Sequence, residues 1–113
     1  MNIKITGSGS YIPEIKISNI DFNEHYFMNE DGSPFVHTNE VVIGKFKSIT
    51  GIEERRYAEP HIMTSDMAYF AAKKAIETAG VDPETLDYII LAHNFGDIKK
   101  DTVQSDAVPC LAS

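Results

Sequence analysis

Tyr88-Ile89-Ile90-Leu91-Ala92 is apolar without alternation. Such a run fits a strand covered on both faces, as in a parallel sheet with helices above and below. The residues before it carry the marks of a helix. Thr64-Ser65-Asp66 offers side-chain oxygens to the orphan amides of a first turn, and Gly80 supplies a left-handed stop, so the sequence predicts a helix over 64–79. Ala68, Ala71, Ala72, Ala75, Ile76 and Ala79 put small side chains on one face, which lets the axis approach whatever it covers; burial of that face is expected. Asp82 then caps a single helical turn begun by Pro83, whose missing amide costs nothing at the first helical position. Helix, turn and doubly covered strand in this order favour an α/β fold.

Towards the N-terminus, Ile3 and Ile5 alternate with Lys4 and Thr6 before Gly7 and Gly9, which predicts a first strand over 2–7, extending as far as 11. Ser18 or Asn19 caps a short helix near Ile20 to Phe27, and the turn-rich Asn29-Glu30-Asp31-Gly32-Ser33-Pro34 makes 28–38 a loop. Apolar residues at 42, 43 and 46 give Val41 to Lys47 the spacing of a short helix, with Gly51 as its stop. Glu53, Glu54, Arg55 and Arg56 read as surface pairs on a short strand, and Asp66 reads as a cap. Towards the C-terminus, a loop holding Gly96, Asp97, Lys99, Lys100 and Asp101 precedes a helix opened by Thr102. It runs through Ala107, Val108, Cys110 and Leu111, with Pro109 in its first turn or at a kink. That apolar pattern is still running at Ser113, so the chain is expected to have been cut there.

The 113 residues amount to about one domain, and 42% hydrophobic content is ordinary for a globular protein. A piece of a larger fold would leave apolar faces without partners, and self-association is the expected way of covering them. Ten Lys and Arg against 17 Asp and Glu give a net charge of −7, which repels a phosphate backbone, so nucleic acid is not an expected partner. The single Cys110 excludes an internal disulfide and, with no apolar run long enough for a signal peptide or membrane span, points to the cytoplasm and away from a membrane.

His25, His37, His61 and His93 are too scattered, with no pair at i,i+4, to suggest a metal site. Gly7-Ser8-Gly9 lacks the third glycine and following helix of a dinucleotide fingerprint. His93-Asn94 sits at the C-terminal end of the expected strand, where α/β proteins place ligands, although a strand-end histidine is more often simply hydrogen-bonded.

Two motifs go further. Gly7-Ser8-Gly9-Ser10-Tyr11-Ile12-Pro13 and, later, Thr50-Gly51-Ile52-Glu53-Glu54-Arg55-Arg56 resemble the opening of β-ketoacyl-acyl-carrier-protein synthase III, a condensing enzyme of the thiolase superfamily. The helix 64–79 with Ala79-Gly80, the acidic turn and Asp87-Tyr88-Ile89-Ile90 follow the same order. The resemblance covers the chain except for about 21–47, which reads as a helical and loop extension. It implies a thiolase-like α/β fold, of which residues 1–113 are the N-terminal portion of the first of two repeated halves, in a homodimeric parent.

The reaction implied is a decarboxylative condensation of an acyl primer with malonyl-acyl-carrier protein, the first step of fatty-acid elongation. The family's Cys nucleophile and its His and Asn lie further along, so no catalytic residue is expected here and the 113 residues alone should be inert. Cys110 precedes the family's nucleophile and reads as a packing cysteine. No resident cofactor is implied; acyl-CoA is a substrate of the parent. Lys45, Lys47 and Thr50 are candidates for a CoA-binding edge, or form a solvated basic edge. The chain departs from the family's best-known members in having no Trp and in carrying Ile49 before Thr50 where they have Arg, which leaves room for a carrier-bound donor or an unusual primer. The loop from Gly96 to Val103 resembles the segment that reaches towards the partner subunit's acyl tunnel, with Val103 facing it, or is an ordinary connection. Acyl-carrier protein is the implied macromolecular partner, met on the part of the parent beyond these residues. The alternatives are another thiolase-superfamily acyltransferase, of the hydroxymethylglutaryl-CoA synthase or polyketide-priming kind, and a non-enzymatic α/β interaction module.

Overall fold

The computed structural model describes residues 2–98 and the backbone of residues 105–106. The chain divides into two compact units, one of residues 13–57 and the other joining residues up to 12 with those from 58 onward.

In the first unit, strand β1 (Ile15–Ser18), helix α1 (Asn39–Thr50) and strand β2 (Glu54–Tyr57) follow one another. β1 and β2 pair antiparallel, with Ile15 opposite Tyr57 and Ser18 opposite Glu54. The register sets Lys16 against Arg56, a like-charged pair, and the Glu54 carboxylate relieves it from 2.7 Å on the lysine side and 4.0 Å on the arginine side. The helix expected near Ile20 to Phe27 is shorter than that, a 3-10 turn over Asn19–Phe22. Ser18 stands at its N-cap position, and Asp21 secures it by accepting both the Ser18 amide and hydroxyl at 2.7 Å, which draws the Asp21 carboxyl below its ordinary range. Asn19 Nδ2 donates to the Ile52 carbonyl at 2.7 Å, and the guanidinium of Arg55 donates to Asn19 Oδ1 at 3.1 Å, fastening the turn to the strand.

The turn over 29–34 forms as the sequence predicts, with Gly32 at φ 82°, and Asp31 accepts from the amide and hydroxyl of Ser33. α1 is longer than the expected 41–47 because Asn39 Nδ2 donates to the carbonyls of Asn23 and His25, which anchors a first turn N-terminal to the apolar stripe. Gly51 ends it at φ 70°, its amide donating to the Lys47 carbonyl at 2.8 Å. The stripe meets an aromatic cluster. Phe46 stands edge-on to Phe22 and Phe27 at 5.8 and 5.9 Å, Phe27 stacks on Phe35 at 6.0 Å, and the Arg55 guanidinium lies 5.2 Å from the Phe46 ring centre. Val42, 8% exposed, is the buried apolar residue of this unit among the described residues.

In the second unit, helix α2 (Thr64–Ala79) occupies the expected span and closes on Gly80 at φ 64°. Asp82 accepts from the Glu84 amide at 3.0 Å and caps the turn Pro83–Thr85, again as read from the sequence. The small-residue face has its neighbour: residues 7–11 lie along α2. A methyl carbon placed on Gly7 would come within 2.5 Å of the Ala75 carbonyl oxygen, and one on Gly9 within 2.5 Å of the Ala75 nitrogen. Lys74 Nζ donates to the Ser10 carbonyl at 3.2 Å, and Tyr11 packs on Phe70 with ring centres 5.1 Å apart. The face is half-buried, with Ala72 exposed beyond the strip that residues 7–11 cover.

Three expectations for this unit need correction. Residues 2–11 form no strand: the segment takes its contacts from the side of α2 instead of a neighbouring strand's backbone, and Ile3 and Ile5 are 86% and 91% exposed. Tyr88–Ala92, expected to be covered on both faces, likewise has no ladder, with Tyr88 and Ile90 at 88% and 93% exposure. A strand exists only through its pairing, and neither segment has a partner backbone among the described residues. Third, Asp97–Ile98 is a short strand, β3, paired antiparallel with Ser105–Asp106, β4, so those two residues are not in the helix expected from Thr102. Val103, Ala107, Val108, Pro109, Cys110 and Leu111 lie outside the described residues.

Candidate functional site

The start of α2 and the chain from Ala92 to Ile98 face each other across a cleft of about 510 Å³. Ile62, Met63, Thr64 and Met67 form one wall; Ala92, His93, Asn94, Phe95, Gly96 and Ile98 form the other. Local chemistry builds the first wall. Met63 is the residue before the helix, and its amide donates to Asp66 Oδ2 at 2.9 Å; of the three side chains expected to cap, Asp66 accepts an amide, while the Thr64 and Ser65 hydroxyls donate to Gly96 and Asp97 instead. Met63 and Met67, four apart, fall on the same side of the helix.

What joins the walls is Asp97. Its Oδ1 accepts the Ser65 amide at 2.9 Å and its Oδ2 the Ser65 hydroxyl at 2.6 Å, while Thr64 Oγ1 donates to the Gly96 carbonyl at 3.4 Å. Asp97 is 4% exposed. The two Ser65 hydrogen bonds hold its carboxyl below the ordinary range against the opposing effect of burial, with a smaller favourable contribution from the His93 charge. A carboxylate at a helix N-terminus also meets the positive end of the helix dipole. The helix amide that an anion would otherwise seek is thus already occupied by the protein. The cleft is left with an apolar lining, one imidazole and one carboxamide, which suits an apolar group carrying a polar end.

A second cavity, of about 830 Å³, lies along the other side of α2, against Val81, Pro83, Leu86, Tyr88 and Ile89. Its lining is largely apolar, with Lys73, Glu77 and Glu84 among the lining residues.

Of the residues singled out in the sequence, Lys45, Lys47 and Thr50 all fall on α1. The helix brings Lys47 and Thr50 to one side and turns Lys45 away, since residues two apart do not share a face. Lys47 is already engaged: its ammonium lies 2.5 Å from Glu53, which pushes the lysine pKa up and the glutamate's down. The Thr50 hydroxyl donates to the Phe46 carbonyl and accepts the Ile52 amide at 3.1 Å, closing the helix end. Lys45 is exposed. Val103 lies outside the described residues. His93 and Asn94 line a cleft, although the strand whose C-terminal end they were expected to mark does not form among the described residues.

Sequence reasoning missed Asp97, placing it only in a loop. The available signal was Ser65 at the second position of a helix, whose amide needs an acceptor that Thr64 and Asp66 do not supply.

No family model matches the chain. Curated relatives do. The β-ketoacyl-acyl-carrier-protein synthase III proteins of Staphylococcus aureus strains Newman, JH1 and N315 are each 41% identical to it over 103 residues, which is 91% of this chain and 29% of each relative. The chain therefore spans under a third of the length of the curated relatives it matches.

Proposed function

We propose that this chain is the N-terminal part of a β-ketoacyl-acyl-carrier-protein synthase III-type enzyme, which starts fatty-acid synthesis by decarboxylative condensation. The observation carrying this reading is 41% identity over 91% of the chain. The relatives' shared name favours it over other acyltransferases of the superfamily and over a non-enzymatic module. In this reading the fold is thiolase-like, the parent is a cytoplasmic homodimer, and its partners are acyl-CoA or another acyl primer and acyl-carrier protein. Among the described residues, no helix is long and apolar enough to cross a membrane.

The chemistry belongs to the parent. A Cys thiolate displaces the primer's carrier thiol and takes the acyl group; the malonyl thioester then loses carbon dioxide, and its carbanion attacks the enzyme-bound acyl carbonyl. The carbon–carbon bond forms as the Cys thiolate leaves, with hydrogen-bond donors stabilising the charge on oxygen. These 113 residues supply scaffold for that reaction and none of its reacting groups. Lys45, Lys47 and Thr50 remain candidates for a CoA edge, and Val103 for the partner subunit's acyl tunnel.

The test is a condensation assay. The complete gene product, given an acyl-CoA and malonyl-acyl-carrier protein, should yield a β-ketoacyl product by mass spectrometry, and the 113-residue chain should not. Product from the short chain would remove the proposal that it lacks the reacting groups. Absence of product from the complete protein across a range of primers would remove the enzymatic reading.

A further inference from the structure

We propose that Asp97 is a positioning residue for the acyl primer: by clasping Ser65 beside the cleft, it sets how far the 92–98 segment stands from the start of α2. The inference rests on the condensing-enzyme reading, which supplies the acyl primer, and on the geometry of the cleft, which supplies the clasp.

Asp97 bonds to a residue 32 positions away, so it joins two separate walls and does not merely cap its own turn. Two carboxylate oxygens on two different donors fix orientation as well as distance, which a single hydrogen bond does not. At 4% exposure water has little access to replace either bond. Among the described residues, the only other side-chain tie between these walls is the longer Thr64–Gly96 contact. The walls are otherwise compliant: Met63 and Met67 present flexible thioethers, and Phe95 is largely exposed. A cleft with soft walls and one rigid clasp has its width set by the clasp. Loosening that clasp changes which acyl lengths fit before it changes the reaction at the thioester.

The experiment uses the complete gene product with Asp97→Ala, Asp97→Asn and Ser65→Ala. The last keeps the amide bond and so stays close to the native arrangement if Asp97→Ala folds poorly. Hydrogen exchange read by mass spectrometry should show amides of 62–67 and 92–98 exchanging at least about tenfold faster in Asp97→Ala, with α1 amides as the unaffected reference. In steady-state kinetics with two acyl donors differing by several methylenes, the ratio of their kcat/KM values should shift at least about threefold. KM should rise while kcat stays within about twofold, with Asp97→Asn intermediate. Exchange accelerating equally in α1 and α2 would reduce Asp97 to a general stabilising role and overturn the proposal, as would an unchanged donor ratio despite loosened walls. A wild-type protein with no condensing activity would overturn the acyl assignment together with the reading beneath it; the exchange result would then decide the clasp by itself.

Discussion

Gly7 passes so close to Ala75 that a single methyl group has no room between them: a Cβ at position 7 would lie 2.5 Å from the Ala75 carbonyl oxygen and 2.7 Å from the Ala79 methyl. The neighbouring atoms are mostly helix backbone, which cannot swing aside as a side-chain tip can. Gly7→Ala should therefore cost about 1–3 kcal/mol by overpacking. Gly44, with open space around it, is the control: Gly44→Ala on α1 should be neutral or stabilising by up to about 1 kcal/mol, since alanine is the better helix former. Denaturant unfolding of both variants checks the contrast.

Asp97 should contribute to acid sensitivity. Its carboxyl is depressed in the folded chain, so its contribution is fully present above the ordinary carboxylate range and fades as pH falls through the lowered value. Stability of the wild type should thus drop below about pH 4, and Asp97→Asn should flatten that part of the curve while lowering stability at neutral pH. Circular dichroism melts from pH 2 to 7 would show it, and equal slopes for both proteins would refute it.

Phe46 and Arg55 should prove energetically coupled. The guanidinium stands 5.2 Å from the ring centre, and Phe46 also meets two further rings, so Phe46→Ala should destabilise by roughly 2–4 kcal/mol. A double-mutant cycle with Arg55→Met should return about 0.5–1 kcal/mol of interaction. Strict additivity would mean that the stacking contributes nothing.

Lys47 offers a test of the CoA edge. Because Glu53 holds its ammonium, Glu53→Gln should free the lysine and tighten CoA binding to the complete protein, while Lys47→Ala should weaken it by about fivefold. Calorimetric titration with CoA distinguishes this from a solvated edge, for which neither change would register.

Helix ends were legible because their signals are local. Gly51 and Gly80 stop α1 and α2 at positive φ, and Asp82 caps its own turn, each decided by neighbours within a few residues. Strands were less so, since a ladder is a property of two segments: the short strand read at 53–56 forms as β2, but nothing local named its partner. Ile15–Ser18 alternates as residues 3–6 do, yet of the two only Ile15–Ser18 pairs, with Glu54–Tyr57, while the more apolar Tyr88–Ala92 has no partner among the described residues. The cleft was half legible for the same reason. His93 and Asn94 sit at the end of an apolar run, but the role of Asp97 depends on a serine in another part of the chain.

The glycines at 7 and 9 settle against a helix whose residues are made some seventy positions later. During synthesis on the ribosome the leading segment therefore waits, with Tyr11 lacking the Phe70 ring it packs on, until α2 has emerged, and a pause in translation just before residue 64 would lengthen the interval in which chaperones or neighbouring nascent chains can capture it.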